Sequence, residues 1–241
     1  MIDVLNTRFS ILGSARSGIA AAYKIKELGG KAFISEFKAE SEINNSDQLK
    51  KDFEIEFGGH TNRIFDCDIL VVSPGVPSDL PILLKVKKKN IEIIGEIEFA
   101  YRIKAADSKI IAVTGSNGKS TTVSLIHHIL QTAGYNSVLA GNIGIAASSL
   151  PLQEPGIDFI VLELSSFQLE LVHKFRADVA AILNITPDHL NRYDNMNQYA
   201  AAKFNIFANQ KPDDIAILNS DDQFISDFNY SLNAKLKTFS F

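Results

Sequence analysis

Short apolar runs of strand length recur along the chain, and stretches with helical period separate them. That alternation predicts an α/β fold with a mainly parallel sheet, because strands buried on both faces read as nearly continuous apolar runs. The run at 9–13 is the first predicted strand. It leads through the turn Gly13-Ser14-Ala15-Arg16-Ser17-Gly18 into a helix over 19–28, which Gly29-Gly30 ends. Strands follow at 31–34, 68–72 and 91–94. Ser73-Pro74-Gly75 turns the chain after 68–72, and a helix over 80–89 carries Lys85, Lys87, Lys88 and Lys89 as a solvated face. A second unit begins near Ser108, with a strand at 109–114 and a helix over 119–132. Further strands are predicted at 137–140, 159–164, 179–183 and 215–218, with a helix over 196–209 between the last two. The boundary falls between Glu96 and Asp107, dividing the chain into 1–97 and 98–241. The last residues, from Leu236 to Phe241, alternate like one more strand.

Composition narrows the class without naming a function. The chain has 241 residues, 46% hydrophobic and 22% charged, which excludes a disordered or collagen-like polymer. Lys plus Arg is 24 and Asp plus Glu is 28, a net charge of −4, so the chain lacks the basic footprint of a nucleic-acid binder. Cys67 is the single cysteine and has no internal disulfide partner; a small buried residue is expected there. No apolar run approaches the ~20 residues that span a bilayer, and no secretory leader is evident, so a cytoplasmic protein without a membrane span is expected.

Candidate chemistry begins at Thr114-Gly115-Ser116-Asn117-Gly118-Lys119-Ser120-Thr121, between a predicted strand and a predicted helix. Glycines let backbone N–H groups turn toward phosphate oxygens, and the helix start offers its unpaired N–H groups to the same anion. Lys119 would reach the β- and γ-phosphates and Ser120 would offer a hydroxyl to Mg²⁺. The full phosphate-loop pattern is not met, since Val113 stands where its first glycine belongs.

Three charged residues sit in apolar surroundings. Glu163 interrupts the run Phe159-Ile160-Val161-Leu162, either emerging at a strand end or serving as a metal ligand beside the loop. His189 follows the 179–183 strand, where ligands gather in open α/β sheets, and reads equally as a ligand or a structural loop histidine. Lys203 shares one helical face with Tyr199, Ala202 and Ile206. It is either a snorkelling lysine or a desolvated amine open to chemical modification. His60, His127, His128 and His173 lack a motif and read as structural or surface residues.

Together these segments resemble the Mur ligase family of ATP-dependent amide ligases in peptidoglycan precursor synthesis. The resemblance rests on residues 114–121, Gly141-Asn142-Ile143-Gly144, Glu163-Leu164-Ser165-Ser166-Phe167-Gln168-Leu169, Leu183-Asn184-Ile185-Thr186-Pro187-Asp188-His189-Leu190 and Tyr199-Ala200-Ala201-Ala202-Lys203. Ser73-Pro74-Gly75 and Gly95-Glu96-Ile97-Glu98 extend it into the first unit. Within the family it is similar to the branch that adds D-glutamate to UDP-N-acetylmuramoyl-L-alanine.

The resemblance implies a Rossmann-like domain over 1–97 that binds the UDP moiety, and a phosphate-loop ATPase domain over 98–241. It implies that Gly115, Ser116, Asn117, Gly118, Lys119, Ser120 and Thr121 bind ATP. Ser120 and Glu163 would hold one Mg²⁺, and His189 with a carbamylated Lys203 a second. Lys119, His189 and Lys203 would be catalytic. Ala15, Arg16, Ser35, Glu36, Phe37, Ser73, Pro74, Gly75, Asn142, Ser165 and Gln168 would contact the UDP-linked substrate. The chemistry would pass through an acyl phosphate, which D-glutamate then attacks, and a monomer is expected. Family enzymes carry a third domain, so the resemblance implies a 241-residue piece that is inactive alone. Rival readings are a UDP-sugar-binding module, another Mur or folylpolyglutamate-type ligase, and a nicotinamide oxidoreductase. The last is weakened by Ala15, which stands where the dinucleotide fingerprint needs its middle glycine.

Overall fold

The computed structural model describes residues 2–77, 80–104, 107–188 and 192–240. Two parallel sheets carry the chain. The first is built from β1 (Arg8–Leu12), β2 (Lys31–Ser35), β3 (Glu54–Glu56), β4 (Ile69–Val72) and β5 (Glu92–Gly95), in the order β3-β2-β1-β4-β5. Its helices are α1 (Arg16–Glu27), α2 (Ser46–Asp52), α3 (Pro81–Lys88) and α4 (Glu96–Ile103). The order, with β1 central and a glycine turn leading into α1, is that of a Rossmann-like sheet with five of the six strands.

The second sheet contains β6 (Lys109–Thr114), β7 (Ser137–Gly141), β8 (Phe159–Glu163), β9 (Val179–Ile182), β10 (Ile215–Asn219) and β11 (Lys235–Phe239), ordered β11-β10-β9-β6-β8-β7. Its helices are α5 (Lys119–Thr132), α6 (Ser166–Leu169), α7 (Met196–Phe204) and α8 (Gln223–Asp227). The predicted strand at 109–114 and helix over 119–132 have the bounds observed. Helix α7 is shorter than its apolar period suggested, because Asn205–Phe207 tightens into a 3-10 turn. Helix α1 starts at Arg16, earlier than expected, on an extended Ala15 and without a side-chain cap. The alternating tail is β11, which pairs with β10 in parallel register.

Register positions the chemistry. Val113 of β6 and Gly141 of β7 both pair with Glu163 of β8, so the carboxylate sits level with the start of the phosphate loop. A Cβ at Gly141 would lie 2.3 Å from the Glu163 carbonyl oxygen, so only glycine lets these strands approach there.

The two sheets share one apolar core. Phe9, Ile25, Ile97 and Phe99 from the first unit join Ile110, Leu162 and Phe175 from the second. Helix α4 ties the two units together in this packing. Its Glu98 is fully buried and accepts hydrogen bonds from the backbone N–H groups of His173, Lys174 and Phe175 at 2.9, 2.8 and 2.8 Å. Arg102 Nε donates to the same carboxylate at 2.6 Å, so the buried charge is paired and multiply hydrogen-bonded. Cys67 is buried, its Sγ donating to the Ile64 carbonyl. Among the described residues no helix is long and apolar enough to cross a membrane.

Candidate active site

The loop after β6 is held from below. Ser116 N–H donates to the Asn184 carbonyl at 3.0 Å and Asn117 N–H to Asn184 Oδ1 at 2.8 Å. Ser116 Oγ donates to the Thr186 carbonyl and lies 3.1 Å from the Tyr199 hydroxyl. Gly118 caps α5 with a left-handed backbone, φ +81°, which glycine adopts without a Cβ penalty. No side chain caps that helix, so the first N–H groups of α5, from Lys119 onward, remain open to an anion.

Two ammonium groups converge on this loop. Lys119 Nζ donates to the carbonyls of Gly115 and Ser116, each at 2.8 Å. Lys203 Nζ donates to the same Gly115 carbonyl at 2.9 Å and lies over the Tyr199 ring at 4.5 Å from its centroid. Lys203 is only 2% exposed. Burial and the neighbouring Lys119 charge push its amine down to about 7, against a smaller pull upward from Asp188. The helical face drawn from Tyr199, Ala202, Lys203 and Ile206 is buried at all four positions.

Glu163 is buried, and both carboxylate oxygens are engaged. Ser120 Oγ donates to Oε2 and Asn142 Nδ2 to Oε1, each at 2.7 Å. Glu163 is the last residue of β8 and stays buried there rather than emerging into solvent. A hydroxyl and a carboxylate beside a phosphate loop form a hard oxygen donor pair, which suits Mg²⁺ completed by phosphates and water. Among the described residues no group of three or more His, Cys, Asp and Glu side chains clusters as a self-sufficient metal site. His189, with Leu190 and Asn191, lies outside the described residues, so the donor set expected of it and Lys203 is not on display.

A cleft of about 480 Å³ gathers residues from both units. Ala15, Arg16, Ser17, Pro74 and Gly75 line it from the first, and Lys119, Asn142, Ser165, Gln168 and Lys203 from the second. Ser165 and Gln168 are locked together: Ser165 N–H donates to Gln168 Oε1 at 3.0 Å and Gln168 N–H returns to Ser165 Oγ at 3.3 Å. This reciprocal cap gives the Ser-Ser-Phe-Gln segment a local reason. Asp188, Tyr199, Ser166 and Phe167 also line the cleft, and Asn184 and Thr186 brace the loop. The sequence signal for Asn184 and Thr186 was their place just beyond the carboxyl end of β9.

Other predicted contacts are placed elsewhere. Ser73 is buried and its Oγ donates to the Gly13 carbonyl at 3.0 Å. Ser35 Oγ donates to Glu56 at 2.5 Å and lies 2.8 Å from His60 Nδ1. Glu36 Oε2 accepts from Ser14 N–H and Oγ at 2.6 and 2.7 Å. Burial raises the Glu36 carboxyl, but hydrogen bonds from Lys38 and Ser14 outweigh it and hold it below its usual range. Phe37 is 73% exposed, 6.0 Å from the His60 ring. Ser35, Glu36 and Phe37 thus form a separate group at the end of β2. His60, His127 and His173 make structural hydrogen bonds, to Ser35, Ser137 and the Ile93 carbonyl.

Known proteins extend this picture. The Mur ligase middle domain matches residues 113–241 and the MurD N-terminal domain matches residues 11–81. UDP-N-acetylmuramoylalanine--D-glutamate ligase of Koribacter versatilis is 44% identical over 225 residues, covering 92% of this chain and 49% of that protein. The same enzyme of Clostridioides difficile is 39% identical over 242 residues, covering 99% and 53%. The chain spans about half the length of the curated relatives it matches. The fold is also that of the solved UDP-N-acetylmuramate:L-alanyl-gamma-D-glutamyl-meso-diaminopimelate ligase from Neisseria meningitides, with TM-score 0.63, 16% identity and coverage of 96% and 77%. A middle-domain match over more than half the chain, on the strands and loop just described, shows that the chain belongs to the Mur ligase family.

Proposed function

We propose that the chain carries the UDP-precursor and ATP sites of an ATP-dependent amide ligase that adds D-glutamate to UDP-N-acetylmuramoyl-L-alanine. The observation that carries this reading is the Ser120–Glu163 pair, which Asn142 joins to the cleft that Lys119 and the first-unit loops line. Residues 1–97 would hold the UDP moiety and 98–241 the ATP. The curated relatives bear the name of this ligase, which supports the choice of D-glutamate over other amino acids.

A carboxylate is a poor electrophile, so it must be activated before an amine can attack. In the proposed sequence the alanyl carboxylate oxygen attacks the γ-phosphorus of ATP, the bond to ADP breaks, and an acyl phosphate forms. The D-glutamate amine then adds to the acyl carbon and phosphate leaves, while the amine gives up a proton. Lys119 would leave the Gly115 and Ser116 carbonyls to hold phosphate oxygens, its charge balancing the transferring group. Ser120 and Glu163 would hold one Mg²⁺, with Asn142 fixing the carboxylate orientation. Bound Mg²⁺ would neutralise phosphate charge.

Lys203, with its amine pushed down to about 7, has a neutral fraction that can add to CO₂ and lose a proton, giving a carbamate. That anion, with His189, is the proposed holder of a second Mg²⁺. Ser165, Gln168 and Asn142 would line the muramoyl-alanine end, and Ala15, Arg16, Pro74 and Gly75 the uridine diphosphate end. Ser35, Glu36, Phe37 and Ser73 would act at the periphery of that end. A monomer suffices, because every group named comes from one chain.

Calorimetry with UDP-N-acetylmuramoyl-L-alanine and with ATP, titrated separately into the 241-residue chain, tests the proposal. Binding of both ligands is expected. Precursor binding without ATP binding would leave a UDP-sugar module, and NAD binding without either would overturn the reading.

A further inference from the structure

Arg16 stands at the first turn of α1, yet its guanidinium is spent on the other unit. Nη1 donates to the Gly144 carbonyl at 2.8 Å, and Nη2 donates to the Gly141 and Asn142 carbonyls, each at 2.9 Å. Three bonds from one planar cation to carbonyls 125–128 residues away fix the position of that loop. The loop in turn carries Asn142. Its N–H donates to the Glu163 carbonyl at 2.8 Å and its side-chain amide to Glu163 Oε1 at 2.7 Å. Glu163 Oε2 accepts from Ser120. A continuous polar chain therefore runs from Arg16 through the 141–144 loop and Asn142 to Glu163 and Ser120.

We propose that Arg16 is a positioning residue that couples the first unit to the magnesium–nucleotide site, rather than solely a contact for the UDP precursor. The proposal rests on the ATP site proposed above. Among the described residues the Arg16 Nε–H has no protein acceptor, and Arg16 lines the cleft. A diphosphate in the cleft can take that edge while the Nη groups keep the loop. Binding of the anion then stiffens the loop, and the Asn142 amide holds Glu163 in the orientation that Ser120 shares. The two ligands should accordingly strengthen each other's binding by the same factor, as linkage requires.

Among the described residues no other first-unit side chain donates to the 141–144 carbonyls. Glu96, the nearest candidate, accepts from the Ser148 N–H at 2.5 Å and holds the adjacent 3-10 turn, Ala147–Ser149. It touches neither Asn142 nor the 141–144 carbonyls.

The experiment compares the 241-residue chain with Arg16→Gln and Arg16→Lys. Amide hydrogen exchange without ligands is read at Gly141 and Asn142, whose N–H groups donate to Ile145 and Glu163. Calorimetry then gives the affinity for the Mg²⁺ complex of a non-hydrolysable ATP analogue, with and without saturating UDP-N-acetylmuramoyl-L-alanine. In the wild type the precursor should tighten the nucleotide complex by about 5- to 20-fold, a typical coupling. Arg16→Gln should speed exchange at both amides and reduce the factor to about one even at saturating precursor, while Arg16→Lys keeps part of it. Unchanged exchange in Arg16→Gln overturns the proposal, as does a coupling factor equal to wild type. A wild type that binds no nucleotide overturns the ATP reading and the coupling with it. Accelerated exchange would show in that case that the structural clamp itself is real.

Discussion

The chain contains two strand–glycine turn–helix units of similar outline and opposite internal charge. In the first, between β1 and α1, the Glu36 carboxylate accepts from Ser14 N–H and Oγ, so the turn already holds an anion of its own. In the second, between β6 and α5, Lys119 and Lys203 donate to loop carbonyls while the helix start stays uncapped. The first turn already spends its Ser14 N–H on a carboxylate, whereas the second keeps two ammonium groups and an uncapped helix start beside its loop. The same backbone device therefore does not fix the same ligand; the side chains that arrive from neighbouring strands and helices decide the sign.

The largest expected effect that sharpens this contrast concerns Lys203. Its amine is pushed down to about 7 in the fold and returns to the usual lysine range, near 10.5, when unfolded. Between those values the unfolded chain binds one more proton, so stability rises with pH by up to about 1.4 kcal/mol per unit. Below about 7 both states are protonated and the penalty is constant. Lys203→Met should remove that slope. Denaturant unfolding of both proteins between pH 7 and 9.5, in CO₂-free buffer, reads the difference, and parallel pH profiles would show an amine at its ordinary value.

Next in size, Lys119→Ala should weaken ATP binding about 10- to 100-fold, the equivalent of a lost charge-assisted hydrogen bond of roughly 1.5–3 kcal/mol. Equilibrium dialysis with ATP checks it, and an unchanged affinity would move the phosphates elsewhere. A smaller effect is expected at the first turn. Glu36→Ala leaves Ser14 N–H and Oγ without their acceptor and should cost about 1–3 kcal/mol of stability. Because the Glu36 carboxyl is held below its usual range, its contribution is present above the unfolded pKa, near 4.5, and is lost as pH falls through the lower folded value. Smallest of all, Phe37→Ala should change thermal stability by no more than about 0.5 kcal/mol, since the ring is largely exposed. A larger loss would mean that Phe37 packs more deeply than its exposure and its contact with His60 show.

Much of the central unit was legible in the sequence because its strands are apolar runs with glycine breaks, and because its loop residues are contiguous. Lys203 stood out as a charge on an apolar helical face, and the burial of that face confirms the period. The first unit was less legible. Strand β3 is only Glu54-Ile55-Glu56, an acidic edge without an apolar run. Helix α4 carries Glu98 and Arg102 on one face, yet buries them with Glu96 and its apolar residues, so the polar face in the sequence does not mark a solvent side. Arg16 carried no sign of its partners, because carbonyls more than 100 residues away have no local signature. The close fit at Gly141 likewise depends on the β7–β8 register and not on its neighbours.

On the proposed function, the β6–α5 loop and not the β1–α1 turn takes the nucleotide triphosphate with Mg²⁺. The most direct test is an ATP titration, with and without Mg²⁺, of the 241-residue chain, Lys119→Ala, Glu163→Gln and Glu36→Ala. Lys119→Ala should lose most ATP binding, Glu163→Gln should lose the part that depends on Mg²⁺, and Glu36→Ala should bind as the wild type does. ATP binding that survives Lys119→Ala but falls in Glu36→Ala would contradict this placement of the triphosphate.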